Sequence, residues 1–281
     1  MTENPMTPSD PASPRTRQPV LFIGHGSPMN AIEDNAWRRQ WQTLGRELRA
    51  RPVQPSLILC ISAHWLTNGW ALTAMSEPRT IHDFGGFPQA LFDQRYPAPG
   101  SPDMARSISE QVRQPGSRAP LQLDEAQWGL DHGAWSVLKP MFPEADIPVI
   151  QLSMDYRRPA AEHVEVGRQL AALREQGVLI VGSGNIVHNL RTMRRDVADH
   201  QAYDWAIEFD RVTAEHILAG RTDALAGFQD MGPVAQMAQP TWEHYLPLLY
   251  AAGAAEAGDK AVFFNEGFQA ASISMRSVIW G

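Results

Sequence analysis

The chain reads as an α/β protein built on a mostly parallel central sheet flanked by helices. Two observations predict this. Short, continuous, β-branched apolar runs end in Gly or Ser, the mark of strands buried on both faces. Between them lie longer segments with apolar residues at steps of three and four, so strand and helix alternate along the chain.

The first run is Val20-Leu21-Phe22-Ile23, followed by Gly24-His25-Gly26. Asn35 to Leu48 then carries Trp37, Trp41, Leu44 and Leu48 on one helical face. The second run is Leu57 to Ile61, followed by Ser62-Ala63-His64. Pro102 to Val112 reads as a helix, and Ile147 to Leu152 as the third strand. Ala160 to Leu173 is helical, closed by Gly177 as a C-cap. Val178-Leu179-Ile180-Val181 is the fourth strand, running into Gly182-Ser183-Gly184-Asn185. Tyr203 to Leu218 is a long helix, and 221–240, rich in Gly, Gln and Met, is a surface connection. Thr241 is placed to cap a helix reaching Ala255. A fifth strand is expected near Ala261–Phe264 and a sixth near Ala271 to Ile279. Residues 1–18, with Pro5, Pro8, Pro11 and Pro14 at every third position, are expected to form a disordered tail, leaving 19–281 as a single catalytic domain.

Composition narrows the function. The chain has 281 residues, 24 Lys+Arg against 31 Asp+Glu, and a formal charge of −7. That balance argues against a nucleic-acid partner. No apolar run approaches the ~20 residues that span a bilayer, so no membrane partner is expected. The lone Cys60 sits inside an apolar run, reads as a small buried hydrophobe, and fits a reducing cytoplasm. No C-x-x-C, Walker, G-x-G-x-x-G or G-x-S-x-G pattern is present. No heptad or interface stripe specifies an oligomeric state.

The nine histidines carry the functional signal. His25, His64 and His188 each follow an apolar run, and parallel strands deliver such residues to one sheet edge, where α/β proteins bind ligands. A lone His after a strand is more often structural; three at equivalent positions argue for a shared site, and imidazole is the commonest protein metal ligand. His132 lies in a glycine-bearing turn, Trp128 to Trp135. His244 falls in the first turn of the helix after Thr241, where the helix terminus disfavours imidazolium. His163, His200 and His216 are expected at the surface. His82 belongs to Ile81-His82-Asp83-Phe84-Gly85-Gly86-Phe87-Pro88, which reads either as a pocket wall for a flat ligand or as a surface loop pinned by its Phe side chains.

Leu21 to Asn30, Ser62 to Trp65, Ile81 to Pro88, Tyr96 to Gly100, Trp128 to Trp135, Gly182 to Asn189 and Glu243 to Leu248 together resemble the class III extradiol ring-cleavage dioxygenases, most closely the 4,5-DOPA dioxygenase branch. The resemblance spans about residues 19–281. It implies a non-haem metal at the sheet edge, with His25, His64 and His244 as ligands. His188 is then the acid/base histidine, or a fourth ligand when zinc is bound, and His132 faces the substrate. Many class III enzymes supply a Glu where His244 stands here. Glu243 is adjacent, but on a helix it points about 100° away. Fe(II) is expected for activity and Zn(II) in the purified protein; the reactants are a small-molecule catechol such as DOPA, and O₂. Phe84, Phe87 and Trp135 are candidate walls for the ring, and Arg157 and Arg191 candidates for a substrate carboxylate. Three alternatives stay open. Phe22 to Ser27 also resembles the opening of tetrapyrrole metal chelatases, and the same fold and metal suit a zinc-dependent hydrolase or a non-enzymatic metal-binding protein.

Overall fold

A computed structural model describes residues 17–281. Its frame is an eight-stranded sheet in the order β4-β3-β5-β2-β6-β1-β10-β7. The strands are β1 (Val20–Gly24), β2 (Leu57–Leu66), β3 (Ala71–Thr73), β4 (Gln122–Asp124), β5 (Val149–Met154), β6 (Val178–Gly184), β7 (Ala261–Phe264) and β10 (Ser277–Trp280). A separate hairpin pairs β8 (Phe268–Gln269) with β9 (Ile273–Ser274).

The centre, β5-β2-β6-β1, is parallel throughout, with Leu59 opposite Ile180 and Phe22 opposite Gly182. Both edges break the rule: β10 runs antiparallel to β1 and β7, and β3 antiparallel to β5. The four central runs match their predicted strands because each buries both faces. Val20, Phe22, Leu57, Leu59 and Ile61 pack on one side, and Leu21, Ile23, Ile58 and Cys60 on the other. Cys60 is fully buried, as expected.

The helices are α1 (Ala36–Arg49), α2 (Gln89–Phe92), α3 (Pro102–Gln111), α4 (His132–Met141), α5 (Ala160–Leu170), α6 (Asp204–Leu218), α7 (Thr222–Ala226), α8 (Pro233–Ala238) and α9 (Leu246–Ala254). In α1 the Asn35 side chain accepts the Arg38 N–H at 2.9 Å, satisfying one unpaired donor of the first turn. Its Trp37, Trp41, Leu44 and Leu48 are buried on the α4 side of the sheet. Gly177 ends the short 3-10 turn after α5 in the left-handed region, φ 85°, as a C-cap requires.

Several expectations are corrected. The edge strand β4, its neighbour β3 and helix α4 are not marked in the sequence, and 221–240 contains α7 and α8 rather than a bare connection. The last helix begins at Leu246, not Thr241, so His244 lies in the turn before it. The tail 1–18 lies outside the described residues except for Arg17 and Gln18, which are anchored. Gln18 is buried, donates its N–H to the Arg174 carbonyl at 3.1 Å, and accepts the Arg174 Nε–H at 2.8 Å. No helix among the described residues is long and apolar enough to cross a membrane.

Candidate metal centre

The parallel strands bring the predicted histidines to one edge. His25 follows β1 directly and its N–H donates to the Gly184 carbonyl at the end of β6, 3.0 Å away. His64 projects from β2 where the pairing with β5 shifts register between Ile61 and Leu66. His188 follows β6 and pairs with Ile273. His244 comes from the turn before α9, and His132 is the first residue of α4. Ring centroids of His25 lie 5.2 Å from His64 and 5.3 Å from His244, and those of His64 and His244 are 4.9 Å apart. One ring nitrogen from each of these three lies within 4.8 Å of the others.

Hydrogen bonds fix which nitrogen His25 and His244 present, and a facing carboxylate orients His64. Ser183 donates its hydroxyl to the Gly133 carbonyl at 2.6 Å, so toward His25 it can only accept. The His25 Nδ1, 3.0 Å from that oxygen, therefore carries the proton and leaves Nε2 bare. His244 Nδ1 lies 3.0 Å from Glu243 Oε1 and donates to it, again freeing Nε2. His64 turns Nδ1 toward Asp83, 3.7 Å away, and its Nε2 lies 3.5 Å from that of His25. Two imidazole lone pairs facing each other at that distance repel unless a cation lies between them. The donor set fits a metal held by three neutral imidazoles, two of them hydrogen-bonded at the far nitrogen to an oxygen and the third facing the Asp83 carboxylate across 3.7 Å.

The electrostatics agree. Burial pushes His25 and His244 well below the usual imidazole range, and the surrounding histidines push the same way. Burial also lowers His64, with His132 adding to the effect and Asp83 opposing it. Metal binding needs these rings neutral. His188 stacks face to face on His244, centroids 3.5 Å apart and planes 8° apart. Burial, then His132, lowers it to about 4. The neutral ring can therefore accept a proton at physiological pH, and can return one only after taking it up.

Asp83, which the sequence reading passed over, faces both His64 and His132. One of its oxygens accepts the His132 backbone N–H at 2.9 Å and lies 2.9 Å from His132 Nδ1, off the line of that N–H. Burial would raise Asp83, but His132 and His64 outweigh it and hold the carboxylate at about 2. The usable signal was an acid inside a Gly-Gly aromatic loop. Glu243 would point away from His244 on the helix the sequence predicts; because the segment is a turn, its carboxylate reaches back to His244.

A cavity of about 810 Å³ opens over the five imidazoles. Phe84 and Phe87 line it, whereas Trp135 is fully buried behind Phe84 and bonded through Nε1 to the Ile81 carbonyl. His82 is not in the wall; it packs between Phe84, Phe92 and Trp135. Arg157 points away from the site, toward Asn68 and Asp155, and Arg191 does not reach the cavity; Arg194 and Arg195 line it instead. His163 corrects its surface assignment: it is completely buried under α9. His200 is exposed and His216 partly so, as expected.

Comparison with known proteins gives the same answer. The family described as "Catalytic LigB subunit of aromatic ring-opening dioxygenase" matches residues 19–278. The chain is similar to the "4,5-DOPA dioxygenase extradiol" of Escherichia coli K12, 47% identical over 94% of each chain. It is similar to the protein of that name from Portulaca grandiflora, 38% identical over 86% of this chain and 88% of the other. A crystal structure of an uncharacterized Escherichia coli K12 protein superposes with a TM-score of 0.77 and 42% identity, covering 94% of this chain and all of that one. These matches favour the oxidative reading over the hydrolase, chelatase and binding-protein alternatives. The chain belongs to the LigB family of metal-dependent aromatic ring-opening dioxygenases, and it is an enzyme of the extradiol type.

Proposed function

We propose that His25, His64 and His244 hold Fe(II), that His188 is the acid/base group, and that the substrate is a catechol bearing a carboxylate, such as DOPA. The observation that carries this is the convergence of three bare Nε2 atoms on the floor of an aromatic-walled cavity. An imidazole set accepts Fe, Zn, Cu or Ni, but Zn has no redox chemistry, so Fe(II) is the active form and Zn(II) an inactive occupant. When bound, Fe(II) supplies open coordination positions and passes electrons between ring and O₂.

The protein's own groups do the rest. Phe84 and Phe87 hold the flat ring against the floor. Catechol must lose protons to chelate, and neutral His188, half-buried above His244, receives one. The negative charge of a catecholate then favours the imidazolium, so His188 holds the proton for later return. His132, tied to Asp83, faces the same space from α4. At the rim Arg194 closes on Asp196 at 2.7 Å, whereas Arg195 makes no ion pair among the described residues and is available to a substrate carboxylate. Residues 19–281 act as one catalytic domain, and the single buried thiol suits the cytoplasm.

The test is O₂ uptake by anaerobically Fe(II)-loaded protein given DOPA, dopamine or protocatechuate, with visible absorbance recorded in parallel. Uptake with a yellow product, absent from a Zn(II)-loaded control, supports the reading. A filled iron site that consumes no O₂ with any catechol sinks it. Equal kcat/KM for DOPA and dopamine would remove the carboxylate from the substrate class.

A further inference from the structure

We propose that Asp131 is a positioning residue whose single buried carboxylate sets the spacing between His64 and His132. The proposal rests on the roles given to those two histidines above.

Asp131 is fully buried and makes no ion pair with Lys or Arg among the described residues. Its Oδ1 accepts the Ser62 hydroxyl at 2.6 Å and the Ala134 N–H at 3.1 Å. Its Oδ2 accepts the Gln151 Nε2–H at 2.7 Å and the Trp128 Nε1–H at 3.2 Å. Its own N–H donates to Gln151 Oε1 at 2.9 Å. Four donors on two oxygens define an ionised carboxylate, because an acid proton or an amide NH₂ would oppose one of them. The residue therefore joins three elements, β2, β5 and the N-terminus of α4.

Two of these contacts govern the site. Through the Ala134 N–H, Asp131 caps the helix whose first residue is His132. Through Ser62 it reaches His64: the Ser62 hydroxyl gives its proton to Asp131 and accepts the His64 N–H at 3.2 Å. This matters because regular pairing between β2 and β5 is interrupted at His64. The side-chain relay supplies a hold on that backbone that the ladder with β5 does not. The surfaces also touch directly. A Cβ on Gly133 would lie 2.3 Å from Ser62 Oγ and 2.8 Å from His64 Cδ2, so the helix turn and the ligand strand are in contact. The His64 and His132 rings consequently sit with centroids 3.9 Å apart. Asp83 spans the same two rings from the cavity side, and Asp131 fixes their backbones from the buried side.

Asp131→Asn, Ser62→Ala and the double variant, each loaded with Co(II), test this. Asp131→Asn is expected to bind one Co(II) per chain with shifted ligand-field bands. Its Fe(II) form should lose ~10–100-fold in kcat with KM changed by less than about threefold. Ser62→Ala, which leaves the other three donors on Asp131 in place, should shift the same bands by less. The double variant should be no worse than Asp131→Asn, since both act through one link. Unchanged bands and kcat in Asp131→Asn, or losses that multiply in the double variant, overturn the proposal. Should Asp131→Asn fail to fold, unchanged bands and kcat in Ser62→Ala overturn it alone. If His64→Ala still binds Co(II) with unaltered bands, the ligand assignment falls and the proposal with it. If His64→Ala empties the site while Asp131→Asn changes nothing, the proposal alone falls.

Discussion

Buried imidazoles sit in two regions of this molecule, and only one of the two has the geometry of a metal centre. At the sheet edge, His25 and His244 donate through Nδ1 to Ser183 and Glu243, His64 turns Nδ1 toward Asp83, and all three aim Nε2 toward one another. Beneath α9, His163 is at least as buried, yet its Nδ1 is taken by a neighbour while its buried Nε2 has no partner among the described residues. Trp70 Nε1 donates to the Tyr250 hydroxyl at 2.6 Å, so that hydroxyl donates onward to His163 Nδ1 at 2.7 Å. Burial lowers the pKa in both places, to about 4 for His163. Burial and a shifted pKa thus do not distinguish a metal centre from a piece of core. The direction of the unprotonated lone pair does.

The largest effect that separates the two regions is loss of the metal. His25→Ala or His64→Ala should leave less than about 0.1 metal per chain and cut turnover by ~10³-fold or more, since each removes one of three neutral donors. His163→Gln, which keeps an acceptor for Tyr250, should retain stoichiometric metal and kcat within about threefold. Metal analysis of the purified variants decides it; stoichiometric metal in both alanine variants would dissolve the distinction. His188→Ala comes next. It should keep its metal and lose ~10²–10⁴-fold in kcat, the usual worth of a general acid/base. Loss of the metal together with activity would make His188 a ligand instead.

The third test concerns pH and belongs to the quiet region. His163 takes up a proton near its ordinary 6.5 when unfolded but only near about 4 when folded. Its contribution to stability is whole above pH 6.5 and disappears as the pH falls toward 4. The gap amounts to about 3 kcal/mol. Metal-free protein and metal-free His163→Gln, compared by urea denaturation at pH 7.5 and pH 4.5, should differ in pH slope by most of that amount. Parallel slopes would mean that His163 is already charged in the fold.

Much of the frame was legible because its signals are local. The central strands announce themselves as unbroken apolar runs, and Asn35 marks the start of α1 three residues before the N–H it caps. The delivery of His25, His64 and His188 to one edge follows from parallel topology alone. What stayed hidden depends on tertiary context. Helix α4 is disguised by Gly133, which exists for the close approach to Ser62 and His64, and by Pro140 near its end. The strands β3 and β4 have three residues each, too few to show a period. His163 sits among Glu162, Glu165 and Arg168 on a helix with one buried face, so its neighbours advertise the wet side. Asp83 and Asp131 were unread because a carboxylate beside a histidine has no meaning until the fold shows which atom faces which.

Glu243 gives the smallest and sharpest form of the comparison. Its carboxylate accepts both the His244 Nδ1–H and the Thr241 hydroxyl, each at 3.0 Å. In the buried cluster the Tyr250 hydroxyl occupies the corresponding place beside His163, but as a donor. Where the neighbour accepts, the far nitrogen is left bare for a metal; where it donates, the ring's one lone pair is taken and the far nitrogen carries a proton. Glu243→Gln keeps an acceptor oxygen but loses the charge that makes His244 a stronger base. Zn(II) affinity, measured by chelator competition, should weaken by ~10-fold, at the lower end of what such supporting contacts contribute. Tyr250→Phe should leave Zn(II) affinity unchanged and lower stability by ~1–3 kcal/mol through the stranded Trp70 donor and His163 acceptor. If Tyr250→Phe weakened Zn(II) as much as Glu243→Gln did, the two regions would be coupled through α9, and lone-pair direction would no longer account for the difference between them.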